Sequence, residues 1–158
     1  MTSDVKQQFT LRITQANSTE MVVILYEMLL CYLDEGEEAC KANDRLAFRE
    51  AIRKSRGCIN ELLHSLNMEY EPAPALLQLY FFCIRRLAVC EVRNMSGCFG
   101  EIRGIIKPLR DAYSELARQN TQGPVMDNSQ TVYSGLTYGR NRLSEDMTDN
   151  GSNRGMLI

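Results

Sequence analysis

Glu61 and His64 are the residues whose types and spacing best suit chemistry in this sequence. On a helix, residues three apart share a face, and carboxylate-bridged di-iron bundles take a Glu-x-x-His pair from each of two helices, together with two further glutamates. His64 is the only histidine in the chain, so a second pair cannot be supplied. We therefore predict no metal site, and we interpret His64 as a solvated or capping side chain.

Metal-independent catalysis also lacks its usual residues here. A serine or cysteine nucleophile would again depend on His64 as its base, and no serine lies in a glycine-rich elbow. The sequence contains no Gly-x-x-x-x-Gly-Lys or Gly-x-Gly-x-x-Gly string, so no phosphate-binding loop is predicted. These observations predict that the chain is not an enzyme and uses no cofactor.

The six cysteines occur within helical patterns and include no Cys-x-x-Cys pair. A structural zinc site would normally show paired ligands, and a disulfide framework would normally accompany a secretory signal. We predict that all six are reduced and that most act as small buried hydrophobic residues. They are Cys31, Cys40, Cys58, Cys83, Cys90 and Cys98.

Charge and hydropathy narrow the class of partner. The 158 residues carry a net charge of −2, which gives no basic field for nucleic acid or for an anionic membrane. The segment 1–20 is interrupted by charged residues, so we expect no signal peptide. The longest apolar run, 21–33, is shorter than the roughly 20 residues that a bilayer requires. We therefore expect a soluble, cytoplasmic protein with no membrane insertion, which binds partners through apolar contact.

Four segments between residues 17 and 119 show helical patterns. The first begins at a capping box formed by Asn17 and Glu20 and runs to about Lys41. The second follows Asp44 and has apolar residues three and four apart. The third covers 76–92 and is opened by Pro74, and the fourth covers 95–116, where Pro108 predicts a kink. Short connections favour antiparallel neighbours, so the predicted fold is all-α, an up-down four-helix bundle.

The two ends differ in composition from this bundle. Residues 1–16 form a polar arm in which Phe9, Leu11 and Ile13 alternate with polar residues, and this period of two predicts an extended segment lying on an apolar surface. In the tail, 120–158, 19 of 39 residues are Gly, Asn, Ser, Thr or Pro, so the tail cannot form a core of its own. Its apolar groups concentrate at 132–139, which suggests a segment that docks on the bundle.

Two of the predicted helices carry more apolar residues than one bundle-facing stripe requires. Twelve of the 13 residues in 21–33 are apolar, with Glu27 as the exception, and so are eight of the nine in 76–84. One interpretation is that the arm and the tail permanently cover this surplus. The other is that they cover a groove that a polypeptide client can occupy instead. The pair Arg85-Arg86 could bind a carboxylate on such a client, or could form a solvated helix edge with local salt bridges.

The residues at the start of the first helix resemble the flagellar export chaperone family FliS. That family's pattern is Thr-Ala-Ser-Pro-x-Glu-Leu, then aliphatic residues, then Leu-Tyr-Asp/Glu, and here the corresponding stretch runs from Gln15 to Glu27. Three further matches follow in order, at 59–69, at 79–80 with 85–87, and at 109–113. The resemblance implies a helical bundle that binds the disordered C-terminal segment of flagellin and prevents its premature polymerisation, with an N-terminal arm that covers the client groove.

Combined with the apolar surplus, the resemblance predicts a flagellar type III secretion chaperone. The alternative is a helical-bundle structural adaptor, or a homodimer, with no flagellin client. The expected client-binding residues are Ile24, Tyr26, Met28, Cys31, Tyr80, Arg85 and Arg86. The expected cover of the groove consists of Phe9, Leu11 and Ile13.

Overall fold

The computed structural model describes residues 1–120 and 123–126, and within them the fold is all-α, as predicted. The apolar segment predicted at 132–139 lies outside these residues. No helix in the described part of the chain is long and apolar enough to cross a membrane. The five helices are α1 (Ser3–Gln15), α2 (Ser18–Lys41), α3 (Arg45–His64), α4 (Ala73–Arg93) and α5 (Phe99–Gln119).

Local capping signals set the ends of α2 and α3. The Asn17 side chain accepts a hydrogen bond from the Glu20 N–H at 2.9 Å, and the Glu20 carboxylate accepts one from the Asn17 N–H at 2.9 Å. This reciprocal pair confirms the predicted capping box. The left-handed backbone of Asn43, with φ 55°, turns the chain, and the Asp44 carboxylate then accepts hydrogen bonds from the first turn of α3.

The ends of α4 and α5 agree less closely with the sequence prediction. Pro74 lies in the first turn of α4, as predicted, and Asn94 ends that helix with a left-handed φ of 51°. The prediction that the last helix begins at Met95 was wrong, because Met95 is exposed in the connection and α5 begins at Phe99. Pro108 lies inside α5, and the helix continues beyond it.

The N-terminal arm is the main correction to the predicted secondary structure. Residues 3–15 form a helix, not an extended segment. Val5, Phe9 and Ile13 are four residues apart, so a helix places all three on one face, and that face packs on α2. Leu11 is turned about 200° away from Phe9 on the helix and is 60% exposed. Contrary to the prediction, it therefore does not belong to the face that covers α2.

α2 is the central element of the fold. It packs against α1, α3 and α5, whereas α4 packs against α3 and α5. Gly36 lies in a tight contact, where an added Cβ atom would lie 2.9 Å from the Phe99 ring and 3.3 Å from the Ala51 Cβ atom. Phe99 in turn stacks on Phe48 with a centroid separation of 5.9 Å, so the lack of a side chain at Gly36 lets α2 lie close to both α3 and α5.

The structure pairs Cys90 with Cys98, so the prediction that all six cysteines are reduced was wrong for these two. Cys90 lies near the end of α4 and Cys98 immediately precedes α5, and the short connection brings their Cα atoms within 6.4 Å. The other four cysteines are free. Among them, burial raises the pKa of the Cys58 thiol to about 12 and that of the Cys83 thiol to about 11.

Candidate functional site

The predicted site residues that come together are Ile24, Met28 and Cys31, which we call the α2 strip. Their spacing of four and three residues places them on one face of α2. α1 lies over this face, and Phe9 and Ile13 pack with the strip in an apolar cluster that is distinct from the main core. Ile24 is buried, whereas Met28 and Cys31 are partly buried, so α1 shields the strip from water.

Ion pairs hold both ends of α1 on α2. The Met1 amino group pairs with Glu35, and the Arg12 guanidinium lies 2.5 Å from a Glu27 carboxylate oxygen. Arg12 also lies over the Phe9 ring, 5.8 Å from its centroid. Glu27 is the one polar residue in the apolar run 21–33, and its contact with Arg12 gives that exception a structural role.

Tyr26 and Tyr80 lie in the core, away from the α2 strip. Their hydroxyl groups are 2.5 Å apart, and the Tyr26 ring meets the edge of the Tyr113 ring at a centroid distance of 5.8 Å. Burial raises the pKa of Tyr80 to about 12 and also raises the pKa of Tyr26. Because both side chains are fully buried, neither presents surface to a client in this conformation, contrary to what the sequence suggested.

Arg85 and Arg86 lie on α4, and no α4 residue belongs to the apolar cluster around the α2 strip, so they are not part of that strip. The Arg86 guanidinium lies 2.5 Å from a Glu101 carboxylate oxygen on α5, as the salt-bridge interpretation anticipated. Arg85 is exposed and forms no ion pair with any carboxylate of the described residues. Of the two arginines, only Arg85 therefore has its charge available to a partner.

Two surface features lie away from the α2 strip, and sequence analysis missed the first of them. A cleft of about 280 Å³ opens where α2 and α4 begin and where α3 ends. Its apolar wall includes Val22, Leu66 and Leu76, and Ser18 and Asn67 are among its polar residues. The second feature is the outer side of α4, where part of the apolar surplus found at 76–84 stays exposed.

The described part of the chain offers no cluster of three or more histidine, cysteine, aspartate or glutamate residues that could hold a metal ion. Glu61 and His64 are both exposed near the end of α3. At the α2 strip, the packing of α1 shows that a helix with an apolar face fits there.

Comparisons with known proteins found a similar relative and a similar solved structure. The chain is similar to the flagellar secretion chaperone FliS of Bacillus subtilis (strain 168), with 25% identity over 103 residues, covering 65% of this chain and 77% of the relative. A solved structure described as a flagellar chaperone from bacteria matches with a TM-score of 0.61 at 18% identity. The matched region covers 74% of this chain and 98% of the solved chain. At that identity the structural match shows a shared fold.

The family comparison covers most of the described chain. The family model described as flagellar protein FliS matches residues 1–120, which include all five helices and the α2 strip with its cover. The chain belongs to the flagellar protein FliS family.

Proposed function

We propose that this protein is a cytoplasmic flagellar secretion chaperone that binds the disordered C-terminal segment of flagellin and prevents premature polymerisation. The FliS family is a chaperone family and not an enzyme family, which agrees with the prediction that the chain is not an enzyme. The name of the Bacillus subtilis relative supports a role in flagellar secretion. The α2 strip under α1 is the proposed client site.

The observation that carries this proposal is that α1 contacts α2 and no other helix of the described fold. α1 can therefore leave without separating any pair of helices in the main core. Its release would expose Ile24, Met28 and Cys31 together as one apolar surface. Contiguous apolar surface of this kind favours association, since fully burying one large apolar side chain contributes about 1.5–3 kcal/mol.

α1 also indicates the form of the client. Its side chains Val5, Phe9 and Ile13 contact the strip at a spacing of four residues, so a client helix with apolar groups at the same spacing can replace it. The client must pay for its own ordering when it folds on the chaperone, and this cost keeps release feasible. Tyr26 and Tyr80 are proposed to support the strip from within the core.

We further interpret the fold as an antiparallel up-down arrangement of α2, α3, α4 and α5, with α1 as the arm. Two contacts between α2 and α5 support this arrangement. Thr19 at the start of α2 lies near Asn120 at the end of α5, and Asp34 towards the end of α2 lies near Arg103 at the start of α5, as in an antiparallel pair. The approach of Arg86 on α4 to Glu101 on α5, close to the turn between these helices, is consistent with the same arrangement.

Deleting residues 1–14 tests the proposal directly. We expect the truncated chain to bind a flagellin C-terminal segment more tightly than the full chain does, because no cover competes for the α2 strip. Isothermal titration calorimetry on both chains measures the difference, and circular dichroism checks that the remaining helices are retained. Unchanged or weaker binding by a folded truncated chain would argue against α1 as a displaceable cover.

A further inference from the structure

The outer side of α4 presents a second apolar surface, which we call the α4 face. It consists of Leu77, Phe81, Ile84, Ala88 and Val92. Phe81 is 46% exposed and Val92 is 87% exposed, while Leu77 and Ile84 are partly buried. Large apolar side chains that stay in water along one helix mark an interaction surface more often when they are contiguous than when they are scattered.

The α4 face is separate from the client site. α4 packs against α3 and α5 and makes no backbone contact with α1 or α2, so its outer side lies across the bundle from the α2 strip. No element of the described residues covers it. A partner bound to the α4 face would therefore leave both the strip and its cover in place.

The spacing of the apolar residues indicates what shape of partner fits. The intervals from Leu77 through Phe81 and Ile84 to Ala88 are four, three and four residues. This is the spacing of a coiled-coil seam, in which the side chains of a second helix pack between those of the first. Beyond Ala88, a shallow depression lined by Val89, Val92 and Arg93 can accept one large side chain. The surface thus suits a helix rather than an extended strand.

The charges along α4 indicate the polarity of the partner. Glu91 and Arg86 are neutralised within the fold, by Arg56 at 2.7 Å and by Glu101 at 2.5 Å. Arg85 and Arg93 are exposed, and neither forms an ion pair with a carboxylate of the described residues. The charge left at the edge of the α4 face is therefore positive, and it complements carboxylates on a partner helix.

A second copy of this chain fits the α4 face poorly. Two α4 helices packed across a two-fold axis would place Phe81 of each near Ala88 of the other, because the middle of the face lies close to Ile84. That arrangement brings the two Arg85 side chains together at the centre, where like charges oppose association. Charge complementarity thus favours a different, acidic protein.

We propose that the α4 face docks an acidic amphipathic helix of a second protein while the α2 strip binds the client. The probe is a synthetic helical peptide of about three heptads, with leucine at its seam positions and glutamate beside them, and a second peptide carries lysine in place of glutamate. Fluorescence anisotropy with the full chain measures the binding of each peptide.

Substitutions on the face test its apolar part. Phe81→Asp and Val92→Asp should each weaken binding of the glutamate peptide by about tenfold or more, since each replaces an apolar contact with a charge that must be desolvated. The matched control is Leu46→Asp on α3, where the leucine is 81% exposed. That variant should bind within about twofold of the unaltered chain, because a lone exposed leucine is not part of a patch.

A charge reversal tests the proposed polarity. Arg85→Glu should weaken the glutamate peptide by about threefold and strengthen the lysine peptide, whereas the control Arg49→Glu, at an exposed position of α3, should change neither. Equal loss in Leu46→Asp and Phe81→Asp would overturn the proposal, because binding would then not be specific to the face.

Two further results would overturn the assignment of the partner. The first is a dimer of the full chain, seen by light scattering, that dissociates in Phe81→Asp, since the face would then bind a second copy. The second is displacement of the glutamate peptide by a flagellin C-terminal segment, since the face would then belong to the client. The chain carrying Ile24→Asp should still bind the peptide, so this proposal can fail or hold independently of the chaperone function.

Discussion

Removing the Phe9 side chain is expected to strengthen client binding, although Phe9 would contact the strip rather than the client. Phe9 is 8% exposed where α1 meets α2, and burial of such a ring contributes about 2 kcal/mol to the docking of α1. The client binds only molecules whose strip is uncovered, so the measured affinity is the intrinsic affinity multiplied by the uncovered fraction. A loss of about 2 kcal/mol weakens the cover by about 30-fold, so Phe9→Ala should tighten client binding by up to about 30-fold.

Substitution on the opposite side of the same contact should have the opposite effect. Ile24→Asp removes an apolar group that both the cover and the client would use, so client binding should weaken by about tenfold or more. Because Ile24 belongs to the cluster under α1 and not to the main core, the remaining bundle should stay helical. Leu11→Ala is the matched control on α1, and it should leave the affinity within about twofold because Leu11 points into solvent.

Titration calorimetry with a flagellin C-terminal segment compares the three variants with the unaltered chain, and circular dichroism checks their helical content. The affinity of the chain without residues 1–14 sets the upper limit for Phe9→Ala. The reasoning is refuted if Phe9→Ala binds no more tightly than the unaltered chain while it stays folded. It is also refuted if Ile24→Asp binds the client normally.

The remaining predictions concern the stability of the bundle and its cysteines. Gly36→Ala should lower the free energy of unfolding by about 1–3 kcal/mol, because its Cβ atom would meet a buried ring. Gly57→Ala, on an open surface of α3, should raise the free energy of unfolding by about 0.5–1 kcal/mol. Urea unfolding compares the two variants, and a change of the same sign in both would contradict the packing. Burial raises the pKa of Tyr80 from 10.0 to about 12, so the Tyr80 hydroxyl loses its proton at a lower pH in the unfolded chain than in the folded chain. The free energy of unfolding should therefore fall as pH rises from about 10 to about 12. This fall should be smaller in Tyr80→Phe. The chain unfolded without reductant should show four reactive thiols with Ellman's reagent and six after reduction, and six before reduction would contradict the disulfide.

Helix boundaries were predictable where a nearby side chain determines them. Asn17 with Glu20 and Asp44 mark the starts of α2 and α3 through hydrogen bonds within one turn, and such local signals can be read from a single sequence. The start of α5 has no side-chain cap, since Cys98 at that position accepts no hydrogen bond from the first turn. The apolar spacing there continued back to Met95, so the predicted helix began too early.

The arm was mispredicted because two periods coexist in it. Phe9, Leu11 and Ile13 alternate over five residues, while Val5, Phe9 and Ile13 also fit a helical stripe over nine. The longer pattern corresponds to the structure, because α1 gains its burial from one side only. A search over the longer window would have favoured the helix.

The sequence alone could not show which residues of α2 lie under α1. The run 21–33 is apolar on every side of α2, so its periodicity cannot separate Ile24, which faces α1, from Tyr26, which faces the core. That distinction depends on which helices surround α2, and this is tertiary information. The resemblance to the family pointed to this helix, and the contacts in the structure show which of its residues lie under α1.

Hydrogen–deuterium exchange of the full chain, with and without a flagellin C-terminal segment, tests the displacement of α1 most directly. In the free chain, α1 is a hydrogen-bonded helix that is docked on α2, so its amides should exchange slowly. Saturation with the segment should remove protection from residues 3–15 and leave α2 through α5 at least as protected as before. Full protection of α1 in the saturated complex would contradict the proposal that the client replaces it.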